Sequence, residues 1–153
     1  MHIHPDGVTL PFGAQRAFFI HGDGINPADV NYRRYKRLAC NRFVVGAFRL
    51  LHPDWAMALA QHVSHSSRTY FGTHDPYAGP EAKALRAFAE TKLAAGEAEV
   101  VLCGHSHAPE RVELAGGLYI NPGDWQRRRM HVLWNGEAFL HYREGTPWDG
   151  TPA

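Results

Sequence analysis

Two short apolar runs, Ala17-Phe18-Phe19-Ile20 and Val100-Val101-Leu102-Cys103, each stop at a break made of glycine and histidine. No other feature of the chain constrains its fold as tightly. Apolar residues in unbroken succession fit a strand covered on both faces, as in the open sheets of α/β proteins. The breaks, His21-Gly22-Asp23 and Gly104-His105-Ser106-His107, then fall at strand ends, where such sheets keep their functional sites.

The rest of the chain fits the same class. Gly7 to Leu10 and Arg16 to His21 read as strands around a Pro11-Phe12-Gly13 turn. A helical period runs from Asp29, placed as the cap, to about Leu51 through Val30, Leu38, Val45 and Phe48. Pro53 opens a second helix through Trp55, Leu59 and Val63, and a loop is expected over 64–79. A third helix starts at Pro80 and stops at Gly96. Gly116-Gly117 and Asn135-Gly136 mark two hairpins, the second joining Met130–Trp134 to Ala138–Tyr142. Residues 1–144 are expected to form the domain, with 145–153 a loose tail.

With 153 residues, one domain with a real core is affordable and two are not. A net charge of +1 excludes no partner class. Cys40 and Cys103 are too few and too far apart for a disulfide framework, and the start has neither a basic nor an apolar leader. A cytoplasmic location is expected.

Histidine is over-represented, with 11 residues, and position selects among them. In extended backbone, residues i and i+2 point the same way, so His105 and His107 can offer two imidazoles to one place. Neutral imidazole suits zinc, manganese or iron. Two bare surface histidines on a turn are the plain alternative, and the apolar strand with its glycine weighs against it. The same arrangement at His21 supports the reading.

These motifs, with Asn121-Pro122-Gly123-Asp124-Trp125 before a closing hairpin, resemble the last motifs of the calcineurin-like metallophosphoesterases. More narrowly they are similar to the bacterial UDP-2,3-diacylglucosamine diphosphatases of lipid A synthesis, with Asp29, Tyr32, Arg33, Tyr35 and Ser66-Ser67-Arg68 matching elements of that group. The resemblance implies an α/β fold that is part of a four-layer α/β/β/α sandwich. It implies His21 and His105 on one divalent ion and His107 on a second, commonly manganese, iron or zinc. It also implies Asp29, Arg33 and Arg68 as substrate contacts, and hydrolysis of a phosphoester or pyrophosphate bond. No separate catalytic residue is assigned.

The upstream Asp-x-His and Gly-Asn-His-Asp elements of that family do not occur in this sequence. Without their carboxylates, two dications about 3.5–4 Å apart would repel each other. The expectation is therefore the C-terminal part of the domain, with weak or no dinuclear binding and open sheet edges at Phe18 to Ile20 and Val100 to Leu102. A catalytically inactive remnant serving as a binding module is the alternative.

Residues 29–51 hold six of the 16 basic residues against Asp29 alone. They read as a lid over a diphosphate, an anionic membrane surface contact, or simply a solvated face. A nucleotide-lipid substrate and peripheral membrane contact are the expected partners, and nucleic acid is disfavoured for want of interleaved aromatic residues. A cupin fits the spacing after His107 poorly, and an amidohydrolase built on His2 and His4 needs a longer chain.

Overall fold

The computed structural model describes residues 2–70 and 79–149, with the side chains of 63–70 outside that description. The chain divides into two compact units, Met1–Asn26 together with Pro76–Ala153, and Pro27–Asp75.

The first unit is built on a five-stranded mixed sheet. Its strands are β1 (Val8–Phe12), β2 (Gln15–Ile20), β3 (Val100–Cys103), β4 (Glu110–Leu114) and β5 (Gly117–Asn121), in the order β1-β2-β3-β5-β4. The apolar runs are β2 and β3, which pair in parallel with Ile20 opposite Cys103. β3 also pairs in parallel with β5. The fold is thus α/β, as the unbroken apolar runs require. The edge strands are β1 and β4, so Phe18 to Ile20 and Val100 to Leu102 lie inside the sheet rather than at open edges. The hairpin partner β1, with Pro11 on its outer side, covers β2.

Alternation along the strands sends side chains to two cores. Phe18, Val101, Cys103 and Tyr119 meet Leu85, Ala89 and Leu93 from helix α4 (Pro80–Ala94) on one face. Ala17, Val100, Leu102 and Ile120 face the other way, toward Phe139. Phe139 belongs to a three-stranded antiparallel sheet of β6 (Met130–Trp134), β7 (Phe139–Arg143) and β8 (Thr146–Pro147). Helix, sheet and sheet therefore stack in three layers. Phe12, Trp134 and Phe139 pack their rings between the sheets, with centroids 4.8–5.5 Å apart. Of the expected tail, residues 145–149 are described: there β8 pairs with β7, and the Trp148 N–H donates to the His141 carbonyl.

The second unit contains α1 (Val30–Ala39), α2 (Arg42–Arg49) and α3 (Pro53–Tyr70). Asp29 caps α1 as expected, accepting from the Tyr32 N–H at 2.8 Å. The single helix read from 29 to 51 is two helices. Asn41 accepts from the N–H groups of Phe43 and Val44, so its side chain starts a new helix where the old one would continue. α3 carries on to Tyr70 through residues read as loop, because serine weakens a helix without breaking it. Residues 71–78 of that expected loop lie outside the described residues.

Candidate metal centre

Parallel pairing delivers the two histidine breaks to one place. With Ile20 beside Cys103, the next residues are His21 and Gly104, and the Gly104 N–H donates to the His21 carbonyl at 3.1 Å. Beyond that bond the His21 and His105 rings meet edge to face, with centroids 5.4 Å apart and an interplanar angle of 73°. Gly22 allows the approach. Its φ is +100°, and a Cβ there would stand 2.7 Å from a Leu85 methyl.

The His105-x-His107 segment is not extended. β3 ends at Cys103, and both histidines sit in the left-handed region, at φ 63° and 57°. Their imidazoles are therefore not aligned by strand alternation, as the i, i+2 argument expects. The backbone turns too sharply after Gly104, and each left-handed non-glycine residue costs about 1 kcal/mol. Among the described residues, no three His, Cys, Asp or Glu side chains are gathered closely enough to hold a metal ion, so His107 does not complete the pair.

Asn121 holds this strained loop. Buried at the end of β5, its amide donates to the Gly104 carbonyl at 3.0 Å and to the Ser106 hydroxyl at 2.9 Å. Its carbonyl accepts from the Gly123 N–H. Asp124 caps the short helix α5 (Trp125–Arg128) that follows. In the sequence Asn121 opens the Asn-Pro-Gly-Asp-Trp motif and carries no assigned role. An asparagine directly after the apolar run Leu118-Tyr119-Ile120 is the signal the sequence offers.

Burial holds His105 below the ordinary imidazole range. The Glu81 and Asp23 carboxylates pull it upward, and the His21 and His107 rings oppose them. Glu81 had no sequence signal. It enters from the first turn of α4, where the Asn26 amide donates to it at 3.0 Å. A neutral imidazole keeps the lone pair a metal ion needs. The His21–His105 pair thus fits as two ligands of one borderline cation and does not by itself make a dinuclear centre.

The expected substrate contacts behave differently. Asp29 is engaged as the α1 cap, and the Arg33 guanidinium donates to the Pro27 carbonyl at 2.7 Å, both within the second unit. The Arg68 side chain lies outside the described residues. Beside the histidines, a cleft of about 850 Å³ is lined by His21 and Gly104 and, between the sheets, by Phe12, Phe19, Leu102 and Trp134.

The profile of the calcineurin-like phosphoesterase superfamily domain matches residues 52–142, more than half of the chain. The chain belongs to that superfamily. As a calcineurin-like phosphoesterase it is of a family that generally uses divalent metals. It is similar to crystal structures of two Vps29 mutants from Entamoeba histolytica. A double mutant shares 11% identity at a TM-score of 0.40, covering 93% of this chain and 57% of that one. A single mutant shares 13% at 0.41, covering 94% and 57%. The chain thus spans 57% of the length of those structures. No curated protein matches it.

Proposed function

We propose that this calcineurin-like phosphoesterase carries the histidine pole of a divalent-metal-dependent hydrolase acting on a phosphoester or pyrophosphate bond. The carrying observation is the His21–His105 pair at the ends of adjacent parallel strands. His21 and His105 would hold the cation, manganese, iron or zinc, and His107 is assigned to a second one. A dication there supplies Lewis-acid polarisation of a phosphoryl oxygen. The protein's own part is to keep His105 neutral by burial and to pin the loop through Asn121.

The substrate class assigned is a nucleotide-linked lipid such as UDP-2,3-diacylglucosamine, cleaved to the lipid monophosphate and UMP. The wide apolar cleft beside His21 supports a substrate with a hydrocarbon portion. Asp29, Arg33 and Arg68 are kept as its polar contacts. The test is UMP release from UDP-2,3-diacylglucosamine with added Mn²⁺, comparing the native chain with His105→Ala and His107→Ala. Turnover lost in both variants supports the assignment, and turnover unchanged in His107→Ala removes that residue from the ligand set.

A second reading is favoured by the want of a three-residue ligand group among the described residues. On it, the chain is a binding module that holds phosphorylated ligands without turnover. Mn²⁺-independent substrate binding with no UMP released would select it.

A further inference from the structure

We propose that the helices of the second unit bind the surface of an anionic lipid bilayer, lying in the interface rather than crossing it. The inference does not rest on the metal reading.

Helices normally hold their place by burying one face. Here, among the described residues of Pro27–Asp75, none is buried. Leu50 is 88% exposed, Phe43 75%, Trp55 74% and Leu38 61%. A scatter of single exposed apolar residues needs no explanation, but a whole helical unit of them does.

The exposure is ordered. At 100° per residue, Tyr32, Tyr35, Leu38 and Ala39 of α1 share an arc of about 120°, with Arg33, Arg34, Lys36 and Arg37 opposite. In α2, Arg42 and Arg49 stand two turns apart on one narrow stripe, and Phe43, Val44, Val45, Ala47 and Phe48 fill the rest. Trp55 and Leu59, one turn apart on α3, add an aromatic ring of the kind that settles at headgroup level.

Charge decides the occupant. The described part of this unit has six cations against Asp29 and Asp54. Asp29 is spent on the α1 cap, and Asp54 lies 3.5 Å from the His52 ring. Arg34, Arg37 and Arg49 make no ion pair among the described residues, and Arg42 lies over the Phe43 ring at 5.3 Å. A second copy of the unit would set cation against cation. Nucleic acid would answer the charges and leave the apolar arcs in water. An anionic bilayer answers both, with acyl chains for the arcs and headgroups for the arginines. No helix among the described residues is long and apolar enough to span one.

The test is flotation of the full chain with vesicles of phosphatidylcholine alone, or of phosphatidylcholine with about one-third phosphatidylglycerol. Binding to the anionic vesicles only, weakening as salt is raised, is expected. Arg34→Gln, Arg37→Gln and Arg49→Gln should each cost about fivefold in affinity, and Phe43→Ser about tenfold. All four side chains are exposed, so helicity by circular dichroism should not change; if it does, the salt titration of the native chain still decides. No binding to anionic vesicles, or equal binding to both kinds, overturns the proposal. So does capture of duplex DNA or RNA, or self-association through Phe43, by a chain that ignores vesicles.

Discussion

His107 shows at a single residue how this site trades stability for position. Its left-handed backbone costs about 1 kcal/mol that glycine would not incur. His107→Gly should therefore raise the thermal midpoint, and a lowered midpoint would mean that the imidazole supports the loop more than its backbone strains it. Asn121→Ala should act in the opposite direction. It removes one donor each from the Gly104 carbonyl and the Ser106 hydroxyl, which keep the Ser106 and Ala108 N–H groups, at about 1 kcal/mol per hydrogen bond lost, readable in a denaturant titration. At the far end of β2, the Arg16 guanidinium donates to Glu99 and holds its carboxyl at about 2 against an ordinary 4.5. The folded state thus releases the proton more readily than the unfolded chain, so this contribution is present above about pH 4.5 and is lost as pH falls toward 2. Both side chains are substantially exposed, which keeps the effect small. Glu99→Gln should flatten the midpoint-against-pH curve in that interval, and an unchanged slope would contradict the assignment.

Among the elements, α4 carries the packing that supports the site. Its buried stripe of Ala82, Leu85, Ala89 and Leu93 closes one face of the sheet, and Leu85 also backs Gly22 beside His21. Leu85→Ala should cost about 2–5 kcal/mol in chemical denaturation, and a loss below 1 kcal/mol would place the core elsewhere. This helix was legible in advance because Pro80 and Gly96 punctuate it and its apolar spacing is regular. The strands were legible too, since Val100 to Cys103 leaves no alternative to burial on both faces. The break at Cys40–Asn41 was not, because the apolar period runs straight across it and only the Asn41 side chain ends α1. The geometry after Gly104 was equally hidden. Alternation holds only while backbone stays extended, and no local signal marked the left-handed turns at His105 and His107. Pairing of Thr146–Pro147 with β7 depends on a partner strand and leaves no periodic trace in so short a segment.

In the molecule as a whole, a histidine pole on one unit belongs to a superfamily that generally works with divalent metals. What was readable from the sequence was the meeting of His21 with the His105 break, because parallel strands bring their ends to one edge. The place of His107 was not readable, because it depends on how a strained loop closes. Calorimetric titration of the full chain with Mn²⁺ or Zn²⁺, beside His21→Ala and His105→Ala, tests this most directly. We expect one cation per chain, held by His21 and His105, because the second position at His107 lacks the upstream carboxylates in this sequence, with affinity reduced at least about tenfold by either substitution. Binding that neither substitution alters, or no binding at all by the native chain, would contradict it.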